Sequence, residues 1–426
     1  MRDSPALAPP PGNPRFPLMD ACRGAAAITI VLGHSYAGPS HGHILDFASV
    51  LQYAVQVFFA LSGFLLFRPY LAALAFQGES PRARDFFQRR VLRILPAYWV
   101  ALTVMAALLG SRYIPGAFSS RWWVYYGFGQ VYLLHHNFWG IATAWSLCVE
   151  VTFYLCLPLI ALMIGRLSRR LGWRRATSVV LAVLFVIGPI VRLLNTIALA
   201  HWAVVLIERI TYALPGEICF FVAGMAVALW SVETEVDGDP PWALRWLTER
   251  PMMAWGLAAA CLALVATFGG YQAPVGVPGI GVLGIRARFV GNQLLICVFA
   301  ALVILPAAFE SGSRRLPQRV LSWRPLGYVG LVSYGLYLWH APLSHWLEDH
   351  TPFHAVYHDG LPMSVEWLVG FAVILTAGLL AGTASYYLVE LPFLRFKRGW
   401  RGPAQPLPSG DAAPEPSGRV ASRATP

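Results

Sequence analysis

Long apolar segments recur along nearly the whole chain, from Ala21 to Glu390, separated by connections in which arginines collect. A segment of this kind has the length needed to cross roughly 30 Å of hydrocarbon. In lipid, the backbone must satisfy its own hydrogen bonds, which points each segment to a helix. Hydrophobic residues make up 57% of the 426-residue chain and charged ones only 12%. Soluble domains carry about twice that charged share. These figures exclude an ordinary soluble enzyme, a disordered chain and a nucleic-acid binder. The expected fold class is an all-α polytopic membrane protein with about ten transmembrane helices.

The segments fall near 21–38, 48–72, 94–111, 142–165, 177–200, 205–230, 252–269, 288–309, 325–347 and 364–390. The aromatic stretch Trp122–Leu134 is too short to cross as a helix and is expected at the outer membrane interface. Residues 1–17 and 402–426 are rich in Pro and small residues and read as disordered cytoplasmic tails, with no signal peptide and no fused soluble domain. The membrane domain is then 18–401. The six cysteines lie in apolar segments without metal-ligand spacing, so neither a disulfide framework nor a metal site is expected.

The formal charge of +11 is distributed asymmetrically. One set of connections holds Arg82, Arg84, Arg89, Arg90 and Arg93, then a second cluster from Arg166 to Arg175. Further along it holds Arg245 and Arg250, a cluster from Arg314 to Arg324, and Arg395 to Arg401. The opposite connections hold Arg112, Arg121, Arg286 and Arg288. Basic residues favour the cytoplasmic side, which gives an N-in, C-in chain.

Charges inside apolar segments are costly and mark candidate sites. They are Arg23, His34, Glu150, Arg192, Arg209, Glu217, His340 and Glu390. Arg23 and His34 share the first helix, roughly 16 Å apart along its axis. Counting turns puts His34, Glu150 and His340 at one depth toward the outer side. A carboxylate beside a histidine orients the ring and stabilises imidazolium, so His34 with Glu150 is a candidate general base and partner. The plainer alternative is a buried pair tying two helices together. His340 either joins that level or ends a helix at Trp339–Pro342. Arg209 and Glu217, two turns apart on the sixth helix, either line a cavity or pair with neighbouring helices. Glu390 is expected at the inner interface. Gly63 beside Ser62 is expected to let helices approach closely, and Cys148 to be a small packing residue.

The run Phe86–Pro96 opens the third helix with Arg90 and Arg93 three residues apart on one face. Arg binds phosphate bidentately, although such a cluster also serves as a cytoplasmic anchor.

In this order the pieces resemble the bacterial membrane acyltransferase-3 family over roughly residues 18–396. Arg23 and His34 match its Arg, ten residues, His pattern. Phe58–Leu66 resembles its Phe-Phe-x-Leu-Ser-Gly-Phe segment, and Arg90 with Arg93 its Arg-x-x-Arg element. Trp145–Glu150 matches its Trp-Ser-Leu-x-x-Glu motif, and Ser333–Pro342 with Glu390–Phe393 its closing motifs. The run Cys148–Val151 stands where members often carry a polar residue and a second Glu, which leaves Glu150 as the only candidate acid there.

The resemblance implies a membrane O-acyltransferase that takes an acyl group, in the first instance acetyl, from acyl-CoA. The acceptor would be a hydroxyl of a glycan, glycolipid or macrolide-type sugar. His34 and Glu150 would be catalytic, and Arg23, Arg90 and Arg93 would hold the donor phosphates. His340, Trp145, Arg209 and Glu217 are candidates for lining the cavity or the acceptor site. No bound cofactor or metal is implied. Besides substrates, the partner is the lipid bilayer, and no nucleic acid is expected. Two rival readings are a multi-pass transporter or flippase and an inactive binding scaffold. No internal repeat supports the transporter.

Overall fold

The computed structural model describes residues 16–35, 50–133, 136–198, 210–267, 282–309, 315–350 and 363–399. Among these residues the structure is helical and contains no strand. Ten long helices lie over the ten apolar segments: α1 (Leu18–His34), α2 (Val55–Ala75), α3 (Ala83–Leu109), α4 (Trp145–Leu171), α5 (Trp173–Ala198), α6 (Leu214–Asp237), α7 (Pro251–Thr267), α8 (Val282–Ala308), α9 (Arg324–His350) and α10 (Met363–Ser385). A π-helical turn, Tyr386–Glu390, carries α10 into a last short helix, Leu391–Gly399.

Seven of the described helical stretches are long and apolar enough to cross a membrane by length and composition: Gln52–Ala75, Ala83–Leu109, Ala142–Leu171, Trp173–Asn195, Leu214–Asp237, Arg286–Ala308 and Trp367–Arg395. The α1 and α7 helices are shorter, at 17 residues each. The α9 helix has the length, but Gly, Ser, Tyr and His residues dilute its apolar character. Ser333, His340 and Ser344 are buried in protein, as α9 packs against both α1 and α10.

Two helix pairs fix the centre. The α2 and α6 helices cross at glycines, where a Cβ on Gly63 would fall 2.1 Å from the Phe221 carbonyl oxygen and one on Gly224 would fall 1.8 Å from that of Ala60. The small-residue reading of Gly63 is therefore a packing requirement, as close helix approach in membrane proteins commonly is. The same two helices are bridged by an ion pair between a buried arginine and an exposed glutamate. Arg68, a charge that the apolar-segment reading passes over, is 1% exposed, bonds Glu235, and donates through Nε to Ser231 Oγ at 3.1 Å. The α1 helix lies against α9 at glycines, where a Cβ on Gly24 would fall 2.4 Å from the Leu326 carbonyl oxygen and one on Gly330 would fall 1.8 Å from that of Asp20.

The arginine cluster between α4 and α5 sits on helix ends, not in a loop. Helix α4 runs to Leu171, and Gly172, at φ +77°, turns the chain directly into α5. The stretch after α3 forms a compact aromatic layer. In it Trp122 and Trp123 are exposed while Tyr125 is buried, and Tyr98 donates to the Tyr125 carbonyl at 2.8 Å.

Candidate active site

Among the described residues two cavities between the helices hold most of the sequence-derived candidates, His340 lining neither. The first, of about 70 Å³, is lined by Arg23 of α1, Arg90 and Arg93 of α3, Glu150 and Tyr154 of α4, and Ser62 of α2, among others. We call it the arginine chamber. The second, of about 210 Å³, is lined by His34 of α1, Gln56 of α2, Trp145 of α4, Arg192 of α5, and Tyr212 and Glu217 on α6 and just before it. This is the histidine chamber. Val55 and Tyr337 line both and form the wall between them.

The arginine chamber gathers three guanidiniums around one carboxylate. Arg23 bonds Asp20 at 3.1 Å. The Arg90 guanidinium lies 5.7 Å from the Tyr154 ring and 6.0 Å from that of Phe86, positions that cation–π attraction favours. Its Nε is buried and has no hydrogen-bond partner among the described residues. Glu150 accepts from Ser62 and from Tyr154, which stands one helical turn further along α4. A chain of contacts therefore runs from Glu150 through the Tyr154 ring to Arg90.

His34 and Glu150 do not meet. Helix α1 stops at His34, and α4 starts at Trp145, so His34 stands level with the beginning of α4. Glu150 lies about 7.5 Å further along α4 at 1.5 Å per residue, which is why it belongs to the other chamber. Counting turns from longer apolar segments had put the two side chains at one depth.

The partner of His34 is His340. Their rings stack at an interplanar angle of 13°, and His34 Nδ1 lies 3.0 Å from His340 Nε2. His340 Nδ1 lies 3.2 Å from the Leu336 carbonyl oxygen. A carbonyl only accepts, so in the neutral ring His340 Nδ1 carries the proton and its Nε2 accepts from His34 Nδ1–H. That direction leaves His34 Nε2 with its lone pair. His340 is fully buried, whereas His34 is exposed and lines the chamber. Helix α9 continues through Pro342 to His350, so the turn at Trp339–Pro342 does not end it.

The other candidates are placed as follows. Trp145 packs edge-on against Tyr212, with ring centroids 5.7 Å apart. Glu217 pairs with Arg192 at 2.7 Å, both side chains being buried. Arg209, its expected helix-mate, lies outside the described residues. Glu390, expected at an exposed interface, is 4% exposed in the π-helical turn. Cys148 is buried with its thiol on the Ala144 carbonyl, as a packing residue would be.

Sequence reasoning missed the wall. The Tyr337 hydroxyl donates to the Thr143 carbonyl at 2.9 Å and lies 2.7 Å from Ser146 Oγ. Both residues stand inside the motifs quoted above, yet their proximity across 191 positions is visible only in three dimensions. Gln56 was also missed, although it is a polar residue in an apolar run and is 4% exposed.

A cationic chamber and a histidine chamber therefore share one wall within an all-helical set of described residues. A family model described as an acyltransferase domain matches residues 17–384, and the chain belongs to that family. It is 26% identical over 397 residues to the putative peptidoglycan O-acetyltransferase YrhL of Bacillus subtilis, covering 88% of this chain and 54% of that relative. It is 24% identical over 413 residues to the O-acetyltransferase OatA of Staphylococcus aureus, covering 91% of this chain and 58% of the relative. Nodulation protein 10 of Rhizobium leguminosarum is 26% identical over 362 residues, with coverage of 77% and 83%. The chain spans about half the length of the peptidoglycan O-acetyltransferases it matches. No solved structure matches it.

Proposed function

We propose that this protein is an inner-membrane O-acyltransferase that moves an acetyl group from acetyl-CoA to a glycan hydroxyl. The observation that carries the reading is the shared wall: a three-arginine chamber and a chamber holding an oriented histidine meet at Val55 and Tyr337. Family membership supports acyl transfer, and relatives named as peptidoglycan O-acetyltransferases support a hydroxylated carbohydrate acceptor. The chain lies N-in and C-in with ten spans and a membrane domain at 18–401, the arginine chamber facing the cytoplasm. The distribution of arginines supports this orientation.

Arg23, Arg90 and Arg93 hold the donor phosphates, and the unpaired Arg90 Nε–H is a ready donor to a phosphate oxygen. Glu150 sets Tyr154, and Tyr154 in turn sets Arg90. The acyl end reaches the Tyr337 wall. His34 Nε2 takes the proton of the acceptor hydroxyl while the oxygen attacks the thioester carbon. The C–S bond breaks, and the CoA thiolate leaves and recovers the proton from the imidazolium. His340 keeps the His34 tautomer that makes this possible. Positioned general-base catalysis of this kind contributes about 10²–10⁴-fold.

The test is release of free CoA from acetyl-CoA by the full chain in nanodiscs, wild type beside His34→Ala, with hydroxylated glycosides as acceptors. Wild-type turnover that falls at least about 10²-fold in the variant supports the reading. Wild type that neither binds nor consumes acetyl-CoA removes the donor. Turnover that persists in His34→Ala removes the base.

A further inference from the structure

The histidine chamber holds a constellation that the proton-transfer step does not use. Arg192 and Glu217 form a buried ion pair on its wall, 2.7 Å apart, so their formal charges cancel inside the cavity. Glu217 stands in the first turn of α6, where the helix end favours its negative charge. One oxygen of Glu217 accepts from Arg192. The other, Oε2, is buried without a hydrogen-bond partner among the described residues, and so is Gln56 Oε1. Both side chains are more than nine-tenths buried and both line the chamber. Two buried acceptors left without donors cost stability unless something supplies the donors.

Aromatic rings line the same chamber. Trp145, Tyr212 and Phe138 pack edge to face, at centroid distances of 5.7 Å and 5.6 Å. A cavity of about 210 Å³ corresponds to roughly seven waters at their liquid volume of ≈ 30 Å³ each. It offers room for one sugar ring, and the residues that line it include both aromatic rings and oxygen acceptors without donors among the described residues.

From this arrangement we infer that the histidine chamber is the acceptor subsite and that it selects an uncharged sugar ring, reading its hydroxyls with Glu217 Oε2 and Gln56 Oε1. The inference rests on the acyl-transfer reading and specifies its acceptor. A carboxylate or phosphate on that ring would meet Glu217 Oε2 and find Arg192 already engaged by the same carboxylate. Anions are instead accommodated in the arginine chamber, where guanidiniums outnumber carboxylates three to one.

The experiment compares three acceptors in the CoA-release assay on the full chain in nanodiscs: methyl glucoside, the corresponding methyl glucuronide, and methyl glucoside 6-phosphate. Wild type is expected to favour the neutral glycoside over both anions by at least about tenfold in kcat/KM, the scale set by an unmet buried polar group. Gln56→Leu removes one acceptor, together with the side-chain hydrogen bond from Gln56 to Glu217, and leaves the Arg192–Glu217 ion pair in place. It is expected to raise the KM for the neutral glycoside about five- to tenfold, with the effect on KM and not on kcat. Glu217→Gln leaves Arg192 without its counter-charge and is expected to shift preference toward the glucuronide. Because that result is a ratio measured within one variant, loss of total activity does not imitate it. Equal use of neutral and anionic glycosides by wild type, or a Gln56→Leu variant with wild-type KM, overturns the inference. CoA release indifferent to any saccharide overturns it too, while leaving acyl transfer intact. Absence of both acetyl-CoA binding and CoA release would instead remove the parent reading.

Discussion

The two chambers share a wall and little else. The arginine chamber is small and cationic, with Arg23, Arg90 and Arg93 around a single carboxylate, and its polar groups come from side chains able to meet phosphate. The histidine chamber is about three times larger and formally balanced by Arg192 and Glu217, and the residues that line it include two oxygen acceptors, Glu217 Oε2 and Gln56 Oε1, without donors among the described residues. On the proposed reading, charge matched to one ligand and neutrality matched to another would let a single bundle hold an anion and a polyol at once without either occupying the other's place. The difference also separates binding from chemistry. Substitutions in the arginine chamber should act on donor KM, and those around His34 on turnover.

The sharpest test of that division after His34 itself is His340. His340→Phe keeps an aromatic ring but offers His34 Nδ1–H no acceptor, and kcat is expected to fall by about 10²-fold. His340→Gln, whose amide oxygen can accept, should recover part of the loss. Stopped-assay kcat values across pH, measured with saturating acetyl-CoA, would separate this positioning role from a packing defect. Equal loss in both variants, with an unmoved pH profile, would reduce His340 to structure. Next comes Arg90→Gln, which removes a charged donor from the arginine chamber. Donor KM is expected to rise about 10- to 100-fold with a smaller change in kcat, as a lost charge-assisted hydrogen bond of ~1.5–3 kcal/mol implies. A kcat loss without a KM change would break the division between the chambers.

The parts of this site that were legible in the sequence are those that obey one-dimensional rules. Apolar length locates the ten long helices, because helical rise and bilayer thickness set it. The spacing of Arg90 and Arg93 puts both on one helix face, and Arg23 joins them in space. Misreading Glu150 as the partner of His34 came from helix ends. Taking α1 past His34 and starting α4 at residue 142 shifts relative depth by several residues, more than a hydrogen bond tolerates. The His34–His340 and Tyr337–Ser146 contacts join positions hundreds of residues apart, and no local periodicity encodes them. Burial of Glu390 went unseen for a related reason. A π-helical turn rotates the residues that follow it relative to a regular helix, and hydropathy does not report that rotation.

The wall offers a finer test, because Tyr337 belongs to both chambers. Tyr337→Phe keeps the ring that divides them and removes the hydroxyl that ties α9 to Thr143 and Ser146. Loss of that buried hydrogen bond should lower stability by about 1 kcal/mol and raise donor and acceptor KM together by about two- to threefold. Denaturation in detergent and paired Michaelis curves provide the check. A change confined to one KM would show that the wall serves only one chamber.

The smallest effect is expected where neither chamber is touched. Asp349, near the end of α9, accepts from the Tyr113 hydroxyl at 2.5 Å and lies 3.0 Å from Arg112, clasping the loop after α3. The Tyr113 hydrogen bond, with Arg112 beside it, holds the Asp349 carboxyl below its ordinary value of 3.8, and the same bond raises the Tyr113 phenol. A carboxylate whose value is depressed by folding contributes stability above its unfolded value and loses it as pH falls through the folded one. The clasp should therefore be complete at neutral pH and release only in acid. It is exposed, and exposed ion pairs contribute little. Asp349→Asn is accordingly expected to leave both KM values and kcat at wild-type levels at neutral pH and to remove only the small acid-sensitive part of the melting curve. A clear loss of turnover at neutral pH would mean that the loop after α3 reaches the chambers, and the division of the site into two would have to include a third region.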